Sequence, residues 1–432
     1  MIKKISNVKN KPKEPPQIAI NLANKVFVIG IFVCVLIAVY ALYKIFNSTH
    51  VTNKFYIISV LCCGVFAALF GFGLKRFTNN LKVNLSLLLF VTGITVYGFE
   101  TYLEFSNKSP REKIAKKMGV QYDKRSAREV LQDLMSDGVE VYPNIHPLNF
   151  VKSNGLSTEA GRIYPLGGIS NSTTIFGNEA GYFPIIKTDE HGFNNPKGLY
   201  IANKVDIVLI GDSFTEGCSV NSDENIGAVL RQLNFNTISV GKSGSGPLTE
   251  LAALKEYAEP LKPKIVLWVY FAENDLGELK DELASSILTR YLNENDYSQN
   301  LISRQEEIDG VLINYAKQKW KKDEKGINKK KIKRKIINLL KLYELRAMIS
   351  LTPTLGPTPI LGDILKKSKQ KVLGWGGQMY FVYLPARGYK HPTRDFVIET
   401  VKKLDIPIID IQKEVFDPHP DTLSLFPLRI LS

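Results

Sequence analysis

The sequence has few cysteines and few histidines, and both shortages limit what the protein can do. Its four cysteines, Cys34, Cys62, Cys63 and Cys218, lack the spacing of a disulfide framework or a zinc site, and three lie in apolar runs. We therefore expect free thiols. No ligand spacing in the chain indicates a metal, and no motif requires another cofactor. Histidine occurs only five times, which leaves few candidates for a general base.

Positive charge is in excess, but most of it lies in two segments. The 432 residues have a formal net charge of +14. Residues 1–25 contain six Lys and one Glu, and residues 317–341 contain twelve basic and two acidic residues. The rest of the chain is close to neutral. A hydrophobic content of 44% with 22 Phe excludes a disordered chain, and the length allows two or three domains.

Three long apolar runs lie in the first quarter of the chain, at residues 26–43, 55–74 and 83–103, and the last contains Glu100 near its end. A helix needs about 20 residues, at about 1.5 Å each, to cross a hydrocarbon core of about 30 Å. We therefore predict three transmembrane helices within residues 26–104, preceded by a basic cytoplasmic tail at residues 1–25.

The charges around these runs predict their orientation. The tail has six Lys and the second connection has Lys75, Arg76 and Lys82, whereas the first connection has only Lys44 and Lys54. Short basic loops stay on the cytoplasmic side of a membrane. We therefore expect a multi-pass protein of a bacterial inner membrane, with everything after Leu103 on the extracytoplasmic side.

Residues 105–200 predict a helical and then irregular connecting segment. Ser126 and Glu129 have the spacing of a capping box ahead of a helix. Residues 141–200 are rich in Tyr, Pro, Gly and Asn, and we expect them to wrap over the next domain. The polar clusters at residues 171–174 and 191–195 fit turns better than a pocket lining.

From residue 201 to residue 432, short apolar strands alternate with amphipathic helices. This alternation predicts an α/β domain with a parallel sheet covered on both faces. Ligands bind such sheets at the carboxyl ends of the strands. The predicted strands are 205–210, 237–240, 265–271, 379–384 and 406–411, and the predicted helices are 226–233, 248–257, 276–288 and 396–404.

Residues suited to acyl transfer follow the first three predicted strands. A serine in a turn between strand and helix exposes its hydroxyl, a glycine lets a backbone N–H approach a ligand closely, and an Asn amide can donate to an oxyanion. Serine, glycine and asparagine in this order are more specific than any one of them. The segments are Gly211-Asp212-Ser213, the glycine-rich turn 241–247 and Ala272-Glu273-Asn274-Asp275.

These segments resemble those of the SGNH hydrolases, the GDSL esterase/lipase family, over about residues 204–276 and 377–419. The resemblance implies a flavodoxin-like three-layer α/β/α domain, with Ser213 as the nucleophile. It implies an oxyanion hole formed by the Ser213 N–H, the Gly244 N–H (or that of Gly241 or Gly246) and the Asn274 side chain. The chain departs from the family at Ala272, where Gly is usual, and at Glu273.

The family also expects Asp-x-x-His near the carboxyl terminus, with the histidine as general base. Here His419 follows the last predicted strand with the spacing Asp-x-His, and Asp417 would be its partner. A competing expectation is that the domain is truncated and that its catalytic histidine lies beyond Ser432, because no terminal helix follows the last strand.

A basic insertion at about residues 290–375 interrupts the domain. Lysines interleaved with Ile336, Ile337, Leu339 and Leu340 predict an amphipathic helix. It could be a lid with a solvated face, bind anionic lipid headgroups or bind an acidic polysaccharide. Nucleic acid is excluded as a partner by the expected topology and by the absence of interleaved aromatic residues.

The sequence thus predicts a membrane-anchored serine esterase or O-acyltransferase acting on an acyl ester of a cell-surface glycan or lipid through Ser213. The alternative is a non-catalytic, SGNH-derived binding or assembly module of the cell envelope. A transport or signalling subunit has little support, because charges are nearly absent from the three spans. The oligomeric state stays open.

Overall fold

A computed structural model describes residues 14–47, 54–106, 110–325, 329–348, 358–386, 391–426 and 428. The chain divides into two compact units. The first, here called the helical unit, comprises residues 1–108 and 328–354; the second, the sheet unit, comprises residues 109–327 and 355–432. The basic insertion is therefore shared, because residues 328–354 belong with the amino-terminal helices.

The amino-terminal part of the helical unit consists of α1 (Gln17–Asn47), α2 (Lys54–Arg76) and α3 (Asn79–Ser106). Each contains a stretch long and apolar enough to cross a membrane, which confirms three candidate spans. Helices α1 and α2 pack closely because Gly73 has no side chain: a Cβ there would lie 2.5 Å from the Phe27 ring. The tail up to residue 13 and residues 48–53 of the first loop lie outside the described residues.

The connecting segment begins with two helices, α4 (Pro110–Met118) and α5 (Ala127–Ser136). The predicted capping box is confirmed: the Ser126 side chain accepts from the Glu129 N–H, and the Glu129 carboxylate accepts from the Ser126 N–H. The stretch predicted as irregular contains five strands of three residues, in a three-stranded sheet and a two-stranded sheet. These strands are β1 (Val141–Pro143), β2 (Leu156–Thr158), β3 (Gly161–Ile163), β4 (Thr173–Ile175) and β5 (Ile185–Lys187).

These short strands were not predicted because three residues are too few to show an alternating pattern. The expected wrapping is confirmed, since Phe150, Tyr164 and Phe193 are buried in the same core as the main sheet.

The main sheet has five parallel strands in the order β10-β9-β8-β6-β7, which confirms an α/β domain. Strand β6 is buried at every position, as expected for a central parallel strand. The predicted helix at 276–288 is two helices, because Ser285 caps the second of them. The elements are β6 (Ile207–Gly211), α6 (Ser213–Glu216), α7 (Ile226–Gln232), β7 (Thr237–Ser239), α8 (Pro247–Ala253), β8 (Ile265–Phe271), α9 (Asp275–Glu282), α10 (Ser286–Asn293), α11 (Gln305–Lys325), α12 (Lys329–Leu340), α13 (Tyr343–Met348), α14 (Ile360–Gly374), β9 (Gln378–Leu384), α15 (Arg394–Lys403) and β10 (Ile408–Asp410).

The amphipathic helix predicted around Ile336–Leu340 is present as α12, which belongs to the helical unit. The basic cluster at residues 317–341 is divided between the two units, because α11 ends at Lys325 in the sheet unit and α12 begins at Lys329 in the helical unit. Residues 326–328 lie outside the described residues. Within the helical unit, α12 and α13 pack against α3.

Candidate active site

Ser213 is the first residue of α6, directly after the buried strand β6, and its side chain is half-buried. Asp212 caps this helix: its carboxylate accepts from the Phe214 N–H at 2.9 Å. The strand can approach the helix because Gly211 has no side chain; a Cβ there would lie 2.2 Å from the Thr215 hydroxyl. The local sequence therefore places the Ser213 hydroxyl at the carboxyl end of the sheet.

Asn274 follows β8, the neighbour of β6 in the sheet. Its Nδ2 donates to Asp212 Oδ2 at 3.1 Å, and Ser213 Oγ donates to the same oxygen at 3.4 Å. The structure thus brings two of the predicted site residues to one carboxylate. Strand β7 lies beyond β6 on the other side, so the strand order reverses at this point. Such a switch point is where parallel sheets bind ligands.

Asp212 had no role in the sequence-based prediction. It is fully buried, and burial raises its pKa, while the hydrogen bonds from Phe214, Asn274 and Ser213 act in the opposite direction. Its carboxylate holds the serine hydroxyl and the asparagine amide in one place. The signal was present in the sequence, since Asp212 precedes Ser213, but only the sheet brings Asn274 to it.

Gly244 has a left-handed backbone, with φ of +75°, which favours glycine. The atoms nearest to the position of a Cβ on Gly244 belong to His146 and Leu148, residues that the sequence analysis did not connect with the site. The glycine-rich turn is joined to the end of β6 by the Lys242 N–H, which donates to the Gly211 carbonyl at 3.1 Å.

A buried ion pair lies directly behind α6. Glu216, the last residue of this helix, contacts Lys242 Nζ at 2.6 Å and accepts from the Ser243 N–H at 2.8 Å. Burial alone would raise the pKa of Glu216, but the charge of Lys242 and the hydrogen bonds outweigh it, so the pKa lies below its usual value. Asn144 also donates to this carboxylate at 3.2 Å. This network connects the glycine-rich turn to the helix that begins at Ser213.

Four more carboxyl groups lie near this edge of the sheet. Burial raises the pKa of Glu250 and of Asp275 well above the usual range, and it raises the pKa of Glu282 as well. Burial, together with the nearby charges of Asp212 and Glu282, raises the pKa of Glu278 to about 8. Residues 275, 278 and 282 are three and four positions apart, so the sequence already indicated that their carboxyl groups share one face of a helix.

Among the described residues, the Ser213 hydroxyl forms its hydrogen bond with Asp212 and not with His419 or Asp417. His419 Nδ1 accepts from the Asp421 N–H at 3.1 Å, and Asp417 is exposed. A histidine that serves as general base donates through Nδ1 and accepts through Nε2. The hydrogen bond observed at His419 corresponds to the opposite tautomer, so its role as base stays a prediction.

Ser213 opens onto a cavity of about 390 Å³. Its wall is largely apolar and includes Phe214, Phe416 and Phe426, whereas neither Asp417 nor His419 is among the described residues that line it. Cys218 lies in the same wall, and burial raises the pKa of its thiol to about 12. This thiol is therefore protonated at neutral pH and is a poor nucleophile. The cavity therefore places mostly apolar side chains beside the serine.

Among the described residues, no group of three or more His, Cys, Asp or Glu side chains has the arrangement of a metal site. All four cysteines, which the structure describes, are free thiols.

Comparisons with known proteins do not identify a family for this chain. No family model matches the chain, and no curated protein matches it. A solved structure of a mutant of the esterase AlinE4 is similar over 51% of this chain and 83% of its own, with 14% identity and a TM-score of 0.26. At that TM-score the likeness indicates nothing about function.

Proposed function

We propose that the protein is an SGNH-type serine hydrolase or O-acyltransferase that acts on acyl esters through Ser213. One observation carries this proposal: Ser213 Oγ and Asn274 Nδ2 both donate to Asp212 Oδ2, and Ser213 lines a largely apolar cavity. The strand order also supports it: numbered along the chain, the five strands run 2-1-3-4-5. This is the order of flavodoxin-like sheets.

In the proposed reaction, Ser213 Oγ attacks the carbonyl carbon of the ester, and its proton passes to a general base. The resulting oxyanion is stabilised by the Ser213 N–H at the start of α6, by the Gly244 N–H and by the Asn274 amide. Collapse of the intermediate expels the alcohol, which takes up the proton, and leaves an acyl-serine. Water then releases the acid, or a second hydroxyl group accepts the acyl chain.

The oxyanion and Asp212 compete for the Asn274 amide in this scheme. In the structure this amide donates to Asp212. An oxyanion is a charged acceptor as well, and a charged acceptor binds an amide donor about twice as strongly as a neutral one. The Asn274 amide can then turn towards the substrate carbonyl.

We assign the general base to His419, with Asp417 as its partner. Both residues follow β10, whose carboxyl end lies at the same edge of the parallel sheet as that of β6. For this role His419 has to move to Ser213 and exchange its ring proton from Nε2 to Nδ1, so that Nδ1 donates to Asp417 and Nε2 accepts the serine proton. This change breaks its present hydrogen bond with the Asp421 N–H.

The direct test is labelling with a fluorophosphonate, which reacts covalently with activated serines. We expect the full-length protein to be labelled and Ser213→Ala to remain unlabelled. Ser219→Ala is the matched control, since Ser219 lies in the same cavity wall and its substitution should leave labelling intact. His419→Gln should slow labelling by about 10³-fold or more. Absence of labelling in the wild-type protein would refute the hydrolase proposal.

A non-catalytic binding module is the second candidate. It is favoured by the engagement of the Asn274 amide with Asp212 and of His419 Nδ1 with a backbone N–H. Native mass spectrometry of the unlabelled full-length protein distinguishes the two. An acyl ester that binds stoichiometrically and is recovered intact after prolonged incubation indicates a binding module, whereas its cleavage indicates an enzyme.

We further propose that the sheet unit lies outside the cytoplasm of a bacterial cell, held at the inner membrane by α1–α3. Three apolar helices and the basic residues of the second connection support this topology. Protease added to intact spheroplasts should digest the region after residue 105. If that region survives until the cells are lysed, the topology is inverted.

A further inference from the structure

Two acidic side chains near the end of α3 bind residues of α12 and α13. The buried carboxylate of Glu100 accepts the backbone N–H groups of Glu344 at 2.9 Å and Leu345 at 2.8 Å. Glu104, one turn further along, contacts Lys335 Nζ at 3.2 Å. The helix pair therefore has a defined packing position on α3 in the helical unit.

This packing position lies near the end of a candidate membrane span. The span in α3 runs from Asn79 to Glu104, so Glu100 and Glu104 belong to its last two turns. Because the end of a spanning helix lies where hydrocarbon meets headgroups, we expect α12 and α13 at that depth as well. The basic segment is more than two hundred residues from the span in sequence, so its position at the end of the span follows from the contacts with Glu100 and Glu104.

The composition of the helix pair suits that depth. Six of the first seven residues of α12 are Lys or Arg. Its remaining turns and the following helix expose apolar side chains, among them Ile336 (52% exposed), Leu340 (65%) and Met348 (58%). A basic helix that also exposes apolar side chains is typical of segments that lie in the plane of a membrane interface.

We propose that α12 and α13 form a docking surface for anionic lipid headgroups in the leaflet where α3 ends. The basic residues would bind the headgroups, and Ile336, Leu340 and Met348 would reach the outer acyl region. A solvated lid leaves these apolar side chains in water, and an acidic polysaccharide offers them no apolar layer. The proposal is independent of catalysis at Ser213.

The test uses the full-length protein in nanodiscs of phosphatidylcholine, with or without phosphatidylglycerol, and follows amide hydrogen exchange by mass spectrometry. We expect exchange in residues 329–348 to slow by about tenfold when the anionic lipid is present. Residues 360–374 of α14, in the sheet unit, serve as the internal reference and should exchange equally in both discs.

A charge-removal variant sharpens the result. Lys330, Lys331, Lys333 and Arg334 are replaced by Gln, while Lys335 is kept because it pairs with Glu104. This variant should lose the lipid-dependent protection. The matched control replaces four exposed lysines of the sheet unit by Gln and should keep the protection; these are Lys366, Lys402, Lys403 and Lys413.

Three results would overturn the proposal. The first is equal exchange in the two kinds of disc, and the second is protection that persists in the charge-removal variant. The third is equal protection by soluble dextran sulfate added to phosphatidylcholine discs, which would identify the surface as an acidic polysaccharide site.

Discussion

The helical unit and the sheet unit differ most in the charges they bury. Among the described residues, the buried charged side chains of the helical unit are Lys82 and Glu100. Lys82 donates to the Leu74 carbonyl at 2.8 Å and to Asn24 at 3.2 Å. Both buried charges therefore join α3 to other helices: Lys82 contacts α1 and α2, and Glu100 contacts α13. The sheet unit instead buries Asp189, Asp212, Glu216, Lys242, Glu250, Lys255, Glu256, Asp275 and Glu282.

This difference shows where chemistry can take place. Burying a charge is costly unless it is paired or hydrogen-bonded. Several of the buried carboxyl groups of the sheet unit lie together at the edge that carries Ser213, and their pKa values are shifted. A group of shifted pKa values beside a cavity makes this edge a candidate functional site. The helical unit contains the three candidate membrane spans, and the sheet unit contains the candidate site.

The largest expected effect comes from Lys242→Met, which leaves Glu216 as an unpaired buried carboxylate. We expect the sheet unit to lose about 3–5 kcal/mol of unfolding free energy at neutral pH. Guanidinium unfolding followed by tryptophan fluorescence measures this, because Trp268, Trp320 and Trp375 all lie in the sheet unit.

Lys264→Met is the control for this prediction. Its ion pair with Asp206 is largely exposed, so its loss should cost less than about 1 kcal/mol. Because the folded-state pKa of Glu216 is lowered, its stabilising contribution is present at neutral pH and is lost as the pH falls through that value. Equal losses in the two variants would remove the distinction between buried and exposed pairs.

Asn274→Ala should lower kcat for an acyl ester by about 10²–10³-fold, with a smaller change in KM, because an oxyanion donor acts mainly in the transition state. Steady-state hydrolysis of a short aryl ester measures this. Glu273→Ala, at the exposed neighbour, should leave kcat unchanged. An unchanged kcat in the Asn274 variant would mean that the buried edge is not the reaction centre.

Phe416→Ala removes part of the apolar wall beside Ser213. We expect the preference for long-chain over short-chain esters, measured as a ratio of kcat/KM values, to fall by about tenfold. Phe235→Ala replaces an exposed ring that lines a different pocket and should leave the ratio unchanged. If both variants behave alike, the acyl chain does not occupy the cavity.

The last prediction concerns a gain of stability that depends on pH. The pKa of Glu278 is about 8 in the folded protein and about 4.3 in an unfolded chain. The unfolded chain therefore loses this proton at lower pH, so the carboxyl group favours unfolding increasingly from about pH 4.3 up to about pH 8. Glu278→Gln should raise the Tm by about 10 °C at pH 8 and leave it unchanged at pH 4.

Asp281→Asn, at an exposed position of the same helix, should not change the Tm at either pH. A Tm gain of Glu278→Gln that is the same at pH 4 and pH 8 would indicate an effect of packing rather than of charge.

Much of the fold was predictable because its signals are local. Runs of about 20 apolar residues predicted α1–α3, and the capping box predicted the start of α5. Short apolar strands between amphipathic helices predicted a parallel sheet. The strands of three residues from β1 to β5 have no such signal, because their pairing depends on residues distant in the chain.

The candidate site was predictable only in part. The carboxyl ends of parallel strands meet at one edge, so Ser213 and Asn274 were expected together. Their common contact with Asp212, the pairing of Glu216 with Lys242 and the hydrogen bond of His419 with the Asp421 backbone depend on side-chain geometry. Residue types and spacing do not contain that geometry.

By itself, the sequence determined that apolar helices come first, that an α/β sheet follows and, to within one residue, where each of its five strands ends. Its low content of cysteine and histidine also determined that few residues could serve as a thiol nucleophile or as a histidine base. The tertiary structure decided which carboxyl groups lie together and which helices rest on α3. Local patterns arise from the backbone and its immediate neighbours, whereas burial and pairing arise only when distant segments pack.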